Sequence, residues 1–482
     1  MQEKMQEKME EPPKFKVIIV GGSIAGLTLA HCLAQANIDH VVLERRSAIS
    51  PQEGAFIGIW PNGARVFEQL GIFGDLENQT APFHRMHLRY PDGFSFTSSL
   101  PELVSECFGY PIITLDRQRV LQVLHERYPC QSNIHVNQKV VQVQPFDHGA
   151  RVLTEDGSVY TGDLIVGADG VHSSIRAEMW RLADATSPGL ITDHERKSLT
   201  VEYSCVFGIS SPIPGLESGE LVNAYADGCC VITFHGADGR VFWFMIEKLP
   251  KKYVYPDNPR FSMGDAEGFC ARLAHVPIWR DICVEHLWKN RLFVSMTALE
   301  EGLFQTWHFG RVVLLGDSVH KMTPNIGQGA NTAVEDAATL ASLINKLVLS
   351  SSSSSSSSTS DIQNLLQHFQ SLRYDRVKRT YEQSCTGARL QTRDDLMKIL
   401  IGRYIFPYIG PFVSQSMCKD IAGGHVIDFL PLPKRSKAGW VKYNRSSQKS
   451  IAAQLFWLCP VIVCLLGMGF LRPWMSGVGV IG

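Results

Sequence analysis

The first fifty residues alternate between short apolar runs and a helical pattern. The run KVIIV (16–20) is apolar after its first residue, as in a strand buried on both faces of a sheet. Residues 23–36 carry apolar positions at helical spacing, and HVVL (40–43) is a second apolar run. Two strands joined by a helix of this length predict a βαβ unit and a parallel sheet.

The middle of the chain has a pattern typical of antiparallel strands. Residues 199–209 and 229–234 alternate imperfectly between apolar and polar types, and RVFWFMI (240–246) reads as another strand. The dipeptide Asp238-Gly239 predicts a hairpin turn between the last two strands. This part of the chain therefore predicts a second, β-rich unit.

The pattern changes again towards the C-terminal end. RVVLL (311–315) is a buried-type strand, and long helices are predicted over 329–349 and 361–389. Between them, residues 350–358 are all serine, which predicts a flexible surface loop.

Composition narrows the class of protein. A chain of 482 residues suggests two or three domains, and 45% apolar with 19% charged residues is typical of a globular protein. The 46 basic and 47 acidic residues nearly cancel, which argues against a nucleic-acid partner bound through bulk charge. The twelve cysteines form no CxxC pair and no zinc-type cluster, so the sequence predicts no metal site and a reducing compartment.

The two ends of the chain differ. Residues 1–14 read as a polar tail with no apolar segment typical of a secretion signal. Residues 451–471 contain no charge and are long enough to cross a bilayer, although a buried C-terminal helix is the alternative. One basic residue, Arg472, follows this segment, whereas six precede it: Lys434, Arg435, Lys437, Lys442, Arg445 and Lys449. This asymmetry predicts a single-pass membrane anchor with the catalytic domain on the cytosolic side. The endoplasmic reticulum is the expected location.

A glycine-rich turn follows the first predicted strand. It reads Gly21-Gly22-Ser23-Ile24-Ala25-Gly26, a GxGxxG pattern with serine at the second glycine position. Gly21 suits a tight turn, Gly26 suits close packing of helix and sheet, and small Ser23 leaves room for a pyrophosphate at the helix N-terminus. Glu44 ends the second strand, where a carboxylate binds the hydroxyls of an adenosine ribose. The pattern predicts a dinucleotide site.

Two distant segments narrow the choice of dinucleotide. GADGVHSSIR (167–176) follows an apolar strand, and GDSVHKMTPNIGQGAN (316–331) follows the run at 311–315. In this order and spacing, the three segments resemble the aromatic-hydroxylase class of FAD-dependent monooxygenases over most of residues 15–400. Longer segments are similar to fungal monooxygenases that epoxidise prenyl chains in meroterpenoid and indole-diterpene biosynthesis: VIIVGGSIAGLTLAHCL, FIGIWPNGARVFEQLGI, LDRQRVLQVL and GDSVHKMTPNIGQGANTAVEDAA.

The resemblance implies an α/β fold in which an inserted β-rich substrate domain interrupts a Rossmann-like FAD-binding domain with a doubly wound parallel sheet. A C-terminal helical region and a transmembrane helix would follow. The implied boundaries are 15–80, 150–190 and 305–345 for FAD binding, 81–149 and 191–304 for substrate, 346–360 for the serine-rich loop, 361–450 for the helical region and 451–471 for the membrane helix.

The resemblance also assigns residues to FAD. Asp317 would bind the ribityl or pyrophosphate part, Arg117 the phosphates, and Gly58 would lie where the backbone passes the cofactor. Ala330 would lie beside the ring, in a helix start that faces the pyrimidine edge. Asp169 would serve both FAD and a pyridine nucleotide. The alternatives are a turn or cap role for Asp169, a surface ion pair for Arg117 and a loop glycine at Gly58.

The implied chemistry uses FAD, NAD(P)H and O2. Because no second GxGxxG is present, NAD(P)H is expected to bind transiently, and a flavin C4a-hydroperoxide would epoxidise the prenyl chain of a lipophilic substrate. Such a substrate and membrane lipid are the expected partners. Aromatic-ring hydroxylation is the main alternative, and a non-redox prenyl-lipid carrier is a third. A flavin halogenase ranks low because no WxWxIP segment is present.

Epoxidation of an alkene needs no protein base, so a hydrogen-bond donor beside the flavin is the candidate catalytic group. Tyr225 is the first choice, with Tyr203 and Arg176 behind it, although a strand tyrosine more often packs in a core. His172 and His320 follow turn motifs and are interpreted as structural. A prenyl pocket or an ordinary core would account for the apolar middle strands, which include Val241, Phe242, Phe244 and Met245.

Overall fold

The computed structural model describes residues 15–51, 56–350, 358–435 and 437–446. The polar tail and the apolar segment 451–471 lie outside these residues. The described helices are α1 (Ile24–Gln35), α2 (Pro61–Gln69), α3 (Phe73–Glu77), α4 (Leu100–Phe108), α5 (Arg117–Glu126), α6 (Ser174–Thr186), α7 (Asp193–Arg196), α8 (Met263–Arg272), α9 (Val284–Lys289), α10 (Gly329–Ser350), α11 (Thr359–Gln391), α12 (Leu396–Leu400), α13 (Gly410–Ala422) and α14 (Gly439–Ser446).

The described residues also form five sheets. Their strands are β1 (Lys16–Val20), β2 (Asp39–Leu43), β3 (Phe56–Ile59), β4 (Arg85–Arg89), β5 (Ser95–Ser98), β6 (Ile113–Asp116), β7 (Ile134–His135), β8 (Val140–Phe146), β9 (Gly149–Thr154), β10 (Val159–Gly162), β11 (Leu164–Gly167), β12 (Thr200–Ser210), β13 (Glu220–Ala226), β14 (Cys229–His235), β15 (Val241–Val254), β16 (Pro277–Trp279), β17 (Ile282–Cys283), β18 (Arg291–Leu303), β19 (His308–Phe309), β20 (Val312–Leu314) and β21 (His320–Lys321).

The first domain is built on a six-stranded sheet in the order β19-β20-β11-β1-β2-β7. All its neighbouring strands run parallel except β19, which is antiparallel to β20. Residues 17–20 of the central strand β1 are buried, as the continuous apolar run predicts. Helix α1 packs against α10, and the separate sheet β10-β9-β8 lies against β1 and β11. The predicted Rossmann-like α/β unit is confirmed.

The second domain is an eight-stranded sheet in the order β21-β18-β12-β15-β14-β13-β4-β5. Its neighbours are antiparallel except β13 and β4, and the predicted hairpin at Asp238-Gly239 joins β14 to β15. One face packs against α8 and α9 through residues such as Trp243 and Met245. The opposite face carries Tyr203, Tyr225 and Ile232, so strand alternation gives the two faces different partners.

The chain crosses between the two sheets more often than the sequence indicates. The interpretation above gives all of 81–149 to the substrate domain, whereas only β4 and β5 of that range join the eight-stranded sheet. Helix α5 contacts α1, and β7 pairs with β2 at the edge of the parallel sheet. A two-residue strand such as β7 is too short to show any hydrophobic period.

The described residues from 358 to 446 are mainly helical. The long α11 lies beside α10, and α13 packs on α14. Within the described ranges, no single helix has both the length and the apolar character needed to cross a membrane. Among the residues that the structure describes, one pair of segments passes that test together, Leu396–Tyr408 and Gly410–Ala422, and the two are bent by 88° relative to each other.

Candidate active site

A cavity of about 1100 Å³ lies between the carboxyl ends of the parallel strands and one face of the second sheet. This is where ligands bind in open parallel sheets. Nine residues singled out from the sequence line the cavity: Gly21, Ser23, Glu44, Gly58, Arg117, Asp169, Tyr225, Asp317 and Ala330. Gly26, the tenth, is buried beneath the turn and is not part of the cavity wall.

The turn between β1 and α1 requires glycine at two positions. Gly21 has φ +109°, and a Cβ there would lie 2.3 Å from the carbonyl oxygen of Ala168. A Cβ on Gly26 would lie 1.9 Å from the carbonyl oxygen of Gly21. The two glycines hold the N-terminus of α1 close to the sheet, and its free N–H groups therefore lie at the cavity.

Glu44 lies at the end of β2 with its carboxylate fixed by backbone donors. The N–H of Gly22 donates to Oε2 at 2.8 Å, and the N–H of Arg46 donates to Oε1 at 2.9 Å. The side chain is almost buried but still lines the cavity. Each oxygen keeps acceptor capacity, so the group can accept hydrogen bonds from a diol.

Arg117 reaches the start of α1 from the first residue of α5. Its Nη2 donates to Ser23 Oγ at 2.8 Å. Asp116 caps α5 by accepting the N–H of Gln118 at 2.9 Å, which fixes the position of the arginine at the helix start. A guanidinium beside a helix N-terminus is suited to an anion such as a pyrophosphate.

The two aspartates of the distant motifs have different surroundings. Asp317 lies on a 3-10 turn and is paired with Lys321 at 2.6 Å. Asp169 accepts hydrogen bonds from Ser173, Ser174 and the N–H of Ile175. Its carboxylate thus holds the turn before α6, as in the cap alternative, while the residue also lines the cavity.

The segment before α10 is tied to β3 by one amide side chain. Asn331 Nδ2 donates to the carbonyls of Gly58 at 2.9 Å and Gly327 at 2.8 Å, and its Oδ1 accepts the N–H of Trp60 at 3.0 Å. Gly327 has φ +64°, and a Cβ there would come within 2.9 Å of Trp60 Nε1. These contacts hold the two backbone segments in fixed positions on the cavity wall.

These residues fit FAD. A Cβ on Gly58 would meet no protein atom closer than 3.8 Å, and one on Gly329 would meet none within 4 Å. Both glycines line the cavity, so the space beside them is open to a flat ring. Together with the acidic group at Glu44 and the cation at Arg117, the wall matches a dinucleotide that carries a planar ring system.

A buried charge network supports the start of α10. Arg373 of α11 donates to Asp336 at 2.8 Å and to Glu335 at 2.6 Å, and Arg376 donates to both oxygens of Glu335 at 2.7 Å. His320 Nε2 lies 2.6 Å from Asp336 Oδ2, away from the cavity. Burial alone would raise the pKa of Asp336, but the charges of His320 and Arg373 outweigh it and lower that pKa.

Of the three candidate donors, Tyr225 is the one that lines the cavity. Its ring packs edge-on against Tyr90 at 5.2 Å, and its hydroxyl has no hydrogen-bond partner among the described residues. Burial raises the pKa of Tyr225 well above the ordinary range, so the hydroxyl stays protonated. Tyr203 instead donates to Asp394 at 2.6 Å, outside the cavity wall.

Arg176 is a structural residue here. Its Nη1 donates to the carbonyl of Ser318 at 2.7 Å and its Nη2 to that of Val171 at 2.8 Å. The guanidinium thereby ties the two distant motifs to each other and lies outside the cavity wall. His172 Nε2 lies 2.6 Å from Glu300 Oε1, and its ring stacks on Tyr255. The ring is exposed and also lines the cavity.

The second-sheet side of the cavity is apolar. Phe56 of β3 lies 4.3 Å from Phe244 and 4.6 Å from Phe234, measured between ring centroids. Of the apolar residues considered in β15, Phe244 lines the cavity, whereas Val241 and Met245 point to the α8 face. Phe242 contacts Phe56 without lining the cavity. Strand alternation explains this division.

Several residues of the cavity wall could not be identified from the sequence. Met86 and Leu88 come from β4, where alternation in RMHLR is a weak signal for a pocket. Phe406, Val413 and Met417 come from the C-terminal helices, whose place against the cavity depends on tertiary packing. The contacts made by Asn331 have a partial signal in the sequence, since this residue ends the glycine-rich segment 327–331 and lies in the first turn of α10.

The architecture and the cavity define a dinucleotide-binding α/β enzyme. The FAD binding domain family matches residues 14–186 and 274–359. The chain is 82% identical to the FAD-dependent monooxygenase penE of Penicillium thymicola, over 98% of this chain and 99% of that protein. It is 58% identical to the FAD-dependent monooxygenase ausM of Aspergillus calidoustus, over 96% and 99% of the two chains.

Solved structures agree on the fold. Klebsiella pneumoniae HpxO, in complex with FAD and uric acid, is similar with a TM-score of 0.69 at 23% identity, over 87% of this chain and 99% of that one. The chain belongs to the family of FAD-dependent monooxygenases. The prediction of an FAD-binding oxidoreductase made from the three glycine-rich and aspartate-containing segments is confirmed.

Proposed function

We propose that this monooxygenase uses NAD(P)H and O2 to epoxidise the prenyl chain of a lipophilic meroterpenoid or indole-diterpene intermediate. The observation that carries the proposal is the composition of the substrate side of the cavity. Lys321 of the edge strand β21 lines the cavity but is paired with Asp317. Among the described residues, the other strands of the second sheet contribute eight wall residues, of which only Tyr225 is titratable: Met86, Leu88, Leu221, Asn223, Tyr225, Ile232, Phe234 and Phe244.

This composition favours an alkene over a phenol. An apolar wall binds a prenyl chain by removing its surface from water, at about 25 cal/mol per Å². Ring hydroxylation is assisted by a group that removes the phenolic proton, and Tyr225 with its raised pKa cannot act as such a base near neutral pH. The hydroxyl is instead suited to donate a hydrogen bond to an oxygen atom near the flavin.

The residues of the first domain have supporting roles. Arg117, Ser23 and the N-terminus of α1 would hold the pyrophosphate of FAD, and Glu44 would bind its adenosine ribose. Bound FAD supplies the redox chemistry that activates O2. The apolar side chains around Phe56 and Phe244 exclude water from the place where the substrate reacts.

We propose further that the enzyme is located at a membrane. The uncharged segment 451–471 and the basic residues before it support a C-terminal single-pass anchor that keeps the catalytic domain on the cytosolic side, in the endoplasmic reticulum. A substrate that partitions into lipid is most concentrated there, which supports the pairing of this location with an apolar cavity.

The test is a single-turnover reaction. The purified holoenzyme is reduced anaerobically with NADPH and then given O2 together with a farnesylated or geranylgeranylated aromatic compound. A product heavier by one oxygen, placed on the prenyl chain by fragment masses, is the expected result. Oxygen on the ring would replace the proposal by aromatic hydroxylation. Binding of the prenyl compound without NADPH consumption would contradict both reactions.

A further inference from the structure

A row of exposed apolar side chains runs along the C-terminal segment. Large apolar residues recur at every fourth position, and each is between 44% and 73% exposed. We define the 396–412 ridge as these residues: Leu396, Leu400, Tyr404, Tyr408 and Phe412. Single exposed apolar residues are normal on proteins, but five large ones within 17 consecutive residues indicate a surface that contacts something apolar.

The same segment forms part of the cavity wall. Phe406, between the tyrosines of the ridge, lines the cavity, and so do Val413 and Met417 of α13. The segment has an irregular backbone, with a π-helical turn at Ile401–Ile405 followed by a 3-10 turn at Phe406–Tyr408. One short stretch of chain therefore separates the ridge on the outside from the apolar cavity on the inside.

Charge and chain direction indicate what covers the ridge. Helix α13 packs on α14, and the uncharged segment 451–471 begins five residues after α14 ends. Lys434, Lys437 and Lys442 lie on the chain between α13 and this segment, are exposed and have no carboxylate partner among the described residues. Exposed lysines that precede an uncharged segment, on a chain that also presents an apolar surface with tyrosines, are typical of a protein that lies in the headgroup region of a bilayer.

We propose that the 396–412 ridge docks onto the surface of a phospholipid bilayer. The ridge lies in the boundary between headgroups and acyl chains, and the lysines contact the headgroup phosphates. The two apolar segments are bent by 88° relative to each other, so they do not form one straight span, which favours a position on the bilayer surface. We infer further that the prenyl substrate passes from the bilayer to the cavity through the wall formed by Phe406, Val413 and Met417. This second inference rests on the proposed function.

The first test needs no catalysis. Full-length protein carrying Phe412→Trp is reconstituted into phosphatidylcholine and phosphatidylserine vesicles, with or without bromine on the acyl chains, and wild type is measured in parallel. The matched control is Leu292→Trp, because Leu292 is also exposed, at 64%, but lies on β18 of the second sheet. Brominated lipid should quench the added emission of the Phe412→Trp variant and leave that of the control unchanged.

Two outcomes overturn docking. An emission of the Phe412→Trp variant that is equal in both kinds of vesicle and is not blue-shifted places the ridge in water. A blue-shifted emission that bromine does not quench places it against protein, with a second copy of the chain as the occupant. Neither result depends on whether the enzyme makes an epoxide, so failure of docking and failure of the proposed function are distinguishable.

The second test addresses substrate passage. The combined variant Leu400→Ser, Tyr408→Ser and Phe412→Ser should raise KM several-fold for a farnesylated substrate carried in vesicles. It should leave kcat, bound flavin and the KM for a short, water-soluble prenyl analogue unchanged. An equal KM for the vesicle-borne substrate in variant and wild type would contradict passage through this wall, even where quenching shows that the ridge docks.

Discussion

Arg117 Nη2 lies 2.8 Å from Ser23 Oγ, and this hydrogen bond joins two segments that are 94 residues apart. The family pattern has glycine where this chain has Ser23, and a glycine could not accept the bond. The serine thus holds the guanidinium beside the N-terminus of α1, where a cation and helix N–H groups together favour an anion.

We predict that Arg117→Gln weakens FAD binding. Hydrogen bonds to charged groups contribute about 1.5–3 kcal/mol, so the Kd for FAD should rise about tenfold to a hundredfold. Quenching of flavin fluorescence by the apoprotein measures this. Arg119→Gln is the control, because Arg119 is on the same helix but pairs with Glu126 at the surface, 3.8 Å away. Equal Kd values for Arg117→Gln and wild type would remove Arg117 from the cofactor site.

The second prediction separates the two strand tyrosines. Tyr225→Phe keeps the edge-on packing against Tyr90 and removes only the hydroxyl, so thermal stability should be near that of wild type. If the hydroxyl assists oxygen transfer, product formation should fall about a hundredfold, while reduction of the flavin by NADPH stays unchanged.

Tyr203→Phe provides the contrast. It removes a hydrogen bond of 2.6 Å to Asp394, which also pairs with Lys248, so it should lower the melting temperature. Product formed per bound flavin should not change, because Tyr203 does not line the cavity. If Tyr203→Phe lowers turnover and Tyr225→Phe does not, the assignment of the donor is wrong.

The third prediction concerns the apolar wall. Phe244→Ala removes a ring that lines the cavity, and contacts of this kind in a hydrophobic pocket contribute about 1–3 kcal/mol to discrimination. We expect kcat/KM for a long prenyl substrate to fall at least about tenfold. Met245→Leu is the neighbouring control, since Met245 packs on the α8 face and the exchange conserves volume. Unchanged kcat/KM in Phe244→Ala would show that substrate does not contact this strand.

How much of this could be predicted from sequence depends on how local each feature is. The strand β1, the turn at Gly21 and the carboxylate at Glu44 follow from adjacent residues, and the structure brings them to one cavity. The ion pair between Arg373 and Asp336 has no such signal, because the two lie on different helices that meet only through packing. The same holds for Phe406, which reaches the cavity from an irregular turn.

The last prediction concerns stability in mild acid, and it follows from the histidine beside the buried network. His425 lies after α13, with Nδ1 3.0 Å from Thr339 Oγ1 of α10. Burial and, to a smaller extent, the charge of Arg373 together lower the pKa of His425 to about 4, against the opposite effect of Glu335. The folded state therefore favours the neutral ring, whereas the unfolded chain takes up a proton near pH 6.5.

The sign of the effect follows from this difference. At pH 7 the contribution of His425 is fully present, and it is lost as the pH falls from about 6.5 towards 4, because the unfolded state then binds the extra proton. Melting temperatures are measured between about pH 7.5 and about pH 5, because this range includes the pKa of about 6.5 of histidine in the unfolded chain. They should decline towards acidic pH in wild type and decline less in His425→Gln. The control His368→Gln changes an exposed histidine of α11 and should keep the wild-type slope. Equal slopes in His425→Gln and wild type would show that this ring titrates alike in the folded and unfolded chain.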